Sequence, residues 1–285
     1  MAYAKYFLSK NRPQLNAQEV KSIIKRALIE DIGRGDITTQ LSIPESLSIK
    51  AKLIAKEDFL LCGIQIARAV FKAVDPNLKF QIKIKEGSLV LNKNILATIS
   101  GNARSILTAE RVALNLLSFL SGVATKTKKF TDKIQPFKTK ITDTRKTVPG
   151  LRLLQKYAVR IGSGYNHRMR LDEMVLIKDN HLKIMGNHAK LPKIPKGYKV
   201  EIEAQSLNEF KHALSFKPDI IMLDNMRIKD IKKAVATPRK STKLEASGGI
   251  RLGNIKKYAA TGVEIISVGE LTDSVSSADI SLEII

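Results

Sequence analysis

Apolar side chains between residues 17 and 31 fall at Val20, Ile23, Ile24, Ala27 and Leu28, the spacing of one helix face. Asn16 stands where an N-cap belongs, Glu19 follows three residues on, and Gly33 ends the run. After an acidic, glycine-containing turn (residues 30–36) the period changes to that of strands. Ile49, Ala51, Leu53 and Ala55 alternate with Lys50, Lys52 and Lys56. Leu78, Phe80, Ile82 and Ile84 alternate with Lys79, Gln81, Lys83 and Lys85. Each such strand buries one face and wets the other. A helix is predicted over about 63–74 and a further strand over 95–99. One-sided strands with helices on the other face predict a mostly antiparallel α/β sandwich over residues 1–113. A helix over 105–120 leads out of it. Glu110 and Arg111 at its front either solvate an apolar helix or serve a site.

From residue 114 the pattern is different. After a helix near 122–135, short apolar runs recur at 139–142, 174–177, 199–202, 219–223, 243–246 and 264–268. Helices are predicted near 149–160, 206–216, 227–236 and 251–260. Strands apolar on both faces, alternating with helices, predict a parallel sheet. Without a Rossmann-type glycine-rich first turn, the expected form over 114–285 is an open or irregular β/α barrel, with an open doubly wound sheet as the alternative. Residues 279–285 read as a strand that returns to the first domain.

In such barrels the chemistry collects at the C-terminal strand ends. All six runs lead into polar or glycine residues. The first leads to Asp143, Thr144, Arg145 and Lys146; the second to Lys178, Asp179 and Asn180. The third ends in Glu201-Ile202-Glu203 and the fourth in Asp224-Asn225; the last two open into Ser247-Gly248-Gly249 and Gly269. Arg145, Lys146, Arg168 and Lys178 suit carboxylates and phosphates, arginine by a bidentate fork. Glu203 and Asp224 suit Mg²⁺, sugar hydroxyls or a developing cation, or else an internal salt bridge to Lys146 or Lys178. Glu201 shares the strand face of Glu203 but lies deeper. Paired glycine turns on the last two strands fit a phosphate. His167 either donates to an anion, works as an acid/base, or packs its loop. His188 and His212 read as surface residues.

The 285 residues carry 49 Lys+Arg against 27 Asp+Glu, a net charge of +22. That balance favours acidic partners, but the lysines are spread over outer faces, aromatics are sparse and no nucleic-acid-binding module is present. Nucleic acid and membrane are therefore not the expected partners. Cys62 is the single cysteine, so no intrachain disulfide can form. The N-terminus does not read as a signal peptide, and no apolar stretch is expected to approach the roughly 20 residues that span a bilayer. A cytoplasmic protein is expected.

The segments EDIGRGDITT (30–39), AKEDFLLCG (55–63), TAERVALNLLSFLSGVAT (108–125), DTRKTVPGLRLLQKYAVRIGSGYNHRM (143–169), LIKDNH (176–181), VEIEAQS (200–206), IMLDNM (221–226), EASGGI (245–250) and ISVGELT (266–272) together resemble the quinolinate phosphoribosyltransferases over nearly the whole chain. The resemblance implies an Mg²⁺-dependent transfer of phosphoribosyl from phosphoribosyl pyrophosphate to quinolinate, with decarboxylation. It implies a homodimer, or a homohexamer built of dimers, in which one subunit's sandwich covers the partner's barrel. Quinolinate contacts would map onto Arg111 (across the dimer), Arg145, His167, Arg168 and Lys178, with Thr144 beside them. Phosphoribosyl pyrophosphate and Mg²⁺ would map onto Lys146, Lys178, Glu203 and Asp224. The 5-phosphate would sit on Ser247, Gly248, Gly249, Ser267, Val268 and Gly269. Departures from the family pattern are the run Ile161-Gly162-Ser163-Gly164, Arg170 in place of a glycine, Asp172-Glu173, Phe59 and Glu270. A molybdenum-utilisation relative of the same fold would keep the phosphoribosyl site and change the carboxylate clamp.

Overall fold

The computed structural model describes residues 15–186 and 194–285; His188 lies outside them. The chain begins α1 (Ala17–Ile32), α2 (Ile37–Ser42), β1 (Ser48–Ala55), β2 (Phe59–Leu60), α3 (Ile64–Val74), β3 (Lys79–Ile82), β4 (Leu89–Val90) and β5 (Ile95–Asn102). A long α4 (Ala103–Lys133) is followed by β6 (Lys140–Thr142), α5 (Arg152–Ile161), β7 (Val175–Ile177) and α6 (Asp179–Met185). The rest is β8 (Val200–Ala204), α7 (Leu207–Ser215), β9 (Ile220–Asp224), α8 (Ile228–Ala236), β10 (Lys243–Ser247), α9 (Ile255–Ala259), β11 (Ile265–Ser267), α10 (Glu270–Asp273) and β12 (Ile280–Ile284).

Two compact units form. One gathers Pro13–Lys128, Val148–Gly162 and Val275–Ile285. Its sheet runs β12-β1-β5-β3, antiparallel throughout. Ala51, Leu53 and Ala55 are fully buried, as the alternation with lysine requires. Asn16 caps α1 by accepting from the Gln18 and Glu19 N–H groups at 2.9 and 3.3 Å. The N-terminus of α3 has no cap of its own. Instead the Glu86 carboxylate accepts from Gly63 and Ile64 N–H at 2.6 and 3.1 Å, an anion at the positive end of a helix.

Two expectations change here. The helices predicted at 105–120 and 122–135 are one continuous α4. Gly122 stands beside the predicted break, but it has a packing reason. A Cβ there would collide with the Ser276 carbonyl, and Ala278 N–H donates to Ser118 O at 3.0 Å. The returning C-terminal chain crosses the helix at this glycine on its way to β12. The continuous α4 is also long and apolar enough to cross a membrane, contrary to the expectation that no stretch is. Since 61% of its most apolar window is buried inside the protein, it reads as a core helix.

The other unit gathers Lys129–Thr147 and Ser163–Ser274. Its six parallel strands run β6-β11-β10-β9-β8-β7. Met174, Leu176, Ile220 and Ile265 pack together inside it, with Met222 against them. Among the described residues the edge strands β6 and β7 do not pair with each other, so the sheet is open between them. The outer edge of β6 is occupied by Tyr165, which donates to Ile141 O at 2.7 Å and accepts from Asp143 N–H at 3.1 Å. The sheet is strongly curled. β6 and β8 are four places apart, roughly 19 Å in a flat sheet. Yet Asn166 bonds Asp143 beyond β6, and the adjacent His167 bonds Glu201 on β8. Facing side chains therefore meet in an interior, as in an open barrel.

Candidate active site

The strand ends of the parallel unit surround a cavity of about 800 Å³. Thr144, Arg145, Lys146, His167, Arg168, Lys178, Glu203, Asp224, Ser247, Gly248, Gly249, Ser267 and Gly269 all line it. Two predicted residues do not join the wall. Val268 is buried and donates its N–H to Thr142 O at 2.9 Å. Arg111 belongs to the other unit, exposed on α4.

The residue just past β6, Asp143, does not face the cavity but builds it. It is fully buried and accepts from Asn166 Nδ2 at 2.5 Å and His167 N–H at 2.9 Å. These bonds pin the loop that carries Arg168, whose guanidinium donates to Met174 O at 3.0 Å. The next residues on the β6 side, Arg145 and Lys146, enter the cavity. Among the described residues, Arg145 Nε is buried with no hydrogen-bond partner. Burial, and then the nearby charge of Arg145, lower the pKa of Arg168. Two guanidinium groups thus sit close enough to repel. The charges of Glu201 and Glu173 oppose this shift, and a bound anion would oppose it further.

Opposite charge gathers on β8 and β9. Burial, then repulsion from Asp224, raise the pKa of Glu203, while Lys178 opposes the shift. Glu203 Oε2 is buried without a hydrogen-bond partner. Asp224 instead accepts from Asn225 Nδ2 at 2.7 Å. Two adjacent carboxylates with an unused buried oxygen form a hard oxygen donor set that fits Mg²⁺.

The glycine turn after β10 is required by its neighbour. Gly248 (φ +89°) and Gly249 (φ +58°) both adopt the left-handed region. A Cβ on Gly248 would overlap the Asn225 side-chain amide and lie 2.8 Å from the Asn225 backbone nitrogen. We expect Gly248→Ala to displace this turn and to cost about 1–3 kcal/mol of stability, measurable by urea unfolding.

Beneath the cavity, Glu201 and Glu245 are completely buried. Burial pushes both pKa values up to about 8, with the charge of Glu201 adding to the effect on Glu245. His167 Nε2 lies 3.0 Å from Glu201 Oε2 and 3.7 Å from Glu245 Oε1. Sequence reasoning passed over Glu245, although a glutamate inside an apolar strand run is itself a signal. It named Asn225 only as the end of the fourth run, with no role, and passed over Arg251; both line the cavity. Arg170 is exposed and outside the cavity wall; the altered loop is braced by Glu173, which accepts from Met169 N–H at 2.6 Å.

Comparison with known proteins gives the same picture. The family description "Quinolinate phosphoribosyl transferase, C-terminal domain" matches residues 123–283, and the corresponding N-terminal domain matches 36–121. A "Probable nicotinate-nucleotide pyrophosphorylase [carboxylating]" of Methanocaldococcus jannaschii is 42% identical, covering 92% of this chain and 96% of that protein. One of the same name from Synechocystis is 38% identical over 92% and 91% of the two chains. The solved nicotinate-nucleotide pyrophosphorylase of Francisella tularensis superposes with a TM-score of 0.91 at 40% identity, covering 97% of this chain and 100% of that one. With both domain descriptions matched and relatives aligned along nearly its full length, this chain belongs to the quinolinate phosphoribosyl transferase family.

Proposed function

We propose that the protein transfers the 5-phosphoribosyl group of phosphoribosyl pyrophosphate to the ring nitrogen of quinolinate. The carboxylate next to that nitrogen leaves as CO₂, and nicotinate mononucleotide and pyrophosphate are the products, a step of de novo NAD synthesis. The observation that carries this reading is a single cavity lined by the cations Arg145, Arg168 and Lys178, by the glycine turn Ser247-Gly248-Gly249 and by the carboxylates Glu203 and Asp224. A dicarboxylate satisfies the first feature and a phosphoribosyl ligand the others.

The residues divide the work. Arg145, Arg168 and Lys178 hold the two carboxylates, with Thr144 beside them. Ser247-Gly248-Gly249 and the segment Ser267–Gly269 receive the 5-phosphate, where glycine lets the backbone come close. Lys146 and Lys178 neutralise the pyrophosphate as it departs. Glu203 and Asp224 would hold Mg²⁺, which when bound supplies further charge neutralisation on the pyrophosphate oxygens. The same carboxylates stabilise positive charge growing at the ribose C1. As the nitrogen–C1 bond forms and the C1–oxygen bond breaks, the pyridine becomes a pyridinium. The bond from the adjacent ring carbon to its carboxylate then breaks, CO₂ leaves, and the electron pair stays on that carbon beside the pyridinium nitrogen until a proton from water takes the place of the carboxylate. The protein's main contribution is to hold two polyanions together that repel each other in water.

Arg111 completes the clamp from a second copy of the chain, and the working unit is a homodimer or a hexamer of dimers in the cytoplasm. Arg111 is exposed on α4, where a partner can take it up. Mixing inactive Arg111→Ala with inactive Arg145→Ala subunits should restore a fraction of activity by forming one intact site per hybrid dimer. If mixing restores nothing although exchange is demonstrated, Arg111 does not act in trans. An acceptor panel tests the reaction itself. Quinolinate should be consumed, whereas nicotinate, which lacks one carboxylate, should be a poor acceptor. Equal use of both would remove the two-carboxylate reading.

A further inference from the structure

We infer that Arg251 is a specificity residue of the cavity: its guanidinium is the counter-ion of the phosphomonoester and makes the site select phosphorylated over unphosphorylated ribosyl ligands. The inference rests on reading the glycine turn as the seat of the 5-phosphate. Past that turn the chain alternates. Ile250 is buried, and Arg251 next to it is exposed and lines the cavity. The main chain of Arg251 is already in use. Its N–H donates to Asn254 Oδ1 at 2.8 Å, and its carbonyl accepts from the Asn254 and Ile255 N–H groups at 3.0 and 2.9 Å. Asn254 Nδ2 also donates to Gly249 O at 3.0 Å. One asparagine thereby staples the turn on both sides of Ile250. The guanidinium, by contrast, has no hydrogen bond or ion pair among the described residues. A long cation that leaves a fixed main chain beside a glycine turn, with no protein group to hold, is arranged for a ligand.

The charge around the turn gives this cation its role. Among the described residues, those that follow β10 and β11 and line the cavity include one cation, Arg251, and two carboxylates, Glu270 and Asp273. Arg145, Lys146, Arg168 and Lys178 come instead from the segments after β6 and β7. Lys146 does come near the β11 loop, but it shares that space with an acid. A Cβ built on Gly269 would lie 3.8 Å from Lys146 Nζ and 2.9 Å from Asp273 Oδ2. A phosphate dianion resting against the β11 loop thus meets acid as well as base. Against the β10 turn it meets a guanidinium whose planar fork fits two phosphate oxygens. The neutral backbone donors of the turn can bond a hydroxyl as readily as a phosphate. Only a full charge separates the two strongly.

Binding and kinetics test the inference. Nicotinate mononucleotide should bind the parent more tightly than nicotinate riboside, its dephosphorylated form. Calorimetry should show Arg251→Ala losing about tenfold in affinity for the mononucleotide, as for one charged hydrogen bond, with the riboside unchanged. In steady state the phosphoribosyl pyrophosphate KM should rise by a similar factor, while the quinolinate KM and kcat stay put. Arg251→Lys keeps the charge without the fork and should recover part of the loss. Arg251→Glu adds a third carboxylate and should lose more than Arg251→Ala. Thermal melts of Arg251→Ala should match the parent, because the side chain holds no protein group. An unchanged mononucleotide affinity, or an equal loss for mononucleotide and riboside, overturns the inference. So does a lowered melting temperature, which would make Arg251 part of the turn's scaffold. The two readings fail separately. A parent that binds the mononucleotide with its Arg251 dependence intact, yet turns over no quinolinate, removes the functional reading alone. Turnover with an indifferent Arg251→Ala removes this inference alone.

Discussion

Arg145→Ala is expected to lower kcat/KM for quinolinate by roughly a hundredfold or more while leaving the protein at least as stable as the parent. The first effect follows from the fork. Each charged hydrogen bond contributes about 1.5–3 kcal/mol, and a bidentate carboxylate contact contains two. The second follows from the surroundings of Arg145. Arg145 Nε is buried without a partner, and its charge disfavours that of Arg168. Removing it relieves both costs. Arg145→Lys should restore charge but not geometry, and so recover little of the loss. Steady-state kinetics and thermal melts on the three proteins decide the matter. A variant that loses stability as well as activity would mean that Arg145 belongs to the scaffold.

The second large effect concerns pH. Glu245 has its folded pKa raised from the ordinary glutamate value to about 8, first by burial and then by the neighbouring charge of Glu201. A raised folded pKa means that the native state binds the proton more tightly. The stabilisation is complete below the unfolded pKa and is lost as pH rises through about 8. Within this window each pH unit costs about 1.4 kcal/mol per such group. Urea unfolding at pH 5, 6.5 and 8 should therefore show stability declining. Glu245→Gln mimics the protonated form and should flatten that decline, with its largest advantage at pH 8. An unchanged slope in Glu245→Gln would show that this carboxyl is ionised in the folded protein.

Much of this site is legible in the sequence because barrel strands are short and end abruptly. An apolar run such as residues 219–223 fixes where the backbone leaves the sheet, and Asp224 follows at the cavity wall. The same logic places Lys146, Lys178 and Glu203. It fails where a residue's role depends on what crosses it from elsewhere. The single α4 reads as two helices parted near 121, and nothing local shows that Ser276 passes against Gly122. The short pair β2 and β4 has too few residues to display a period. His167 is the most instructive case. The sequence shows its neighbours Asn166 and Arg168, but not the carboxyls that its ring meets, Glu201 on β8 and Glu245 on β10. Periodicity detects faces; it does not say which side chains meet in a curled sheet.

The +22 charge is a separate matter. The cavity uses only a few of the cations, and the remaining lysines alternate along outer strand faces, as Lys50 and Lys79 do. Nothing in the structure explains the excess.

The most direct measurement is product stoichiometry with quinolinate carrying an isotopic label in the carboxylate beside the ring nitrogen. The purified protein, incubated with this substrate, phosphoribosyl pyrophosphate and Mg²⁺, should release labelled CO₂, nicotinate mononucleotide and pyrophosphate in equal amounts. Pyrophosphate release without labelled CO₂, or no turnover in a folded preparation, would contradict the assignment.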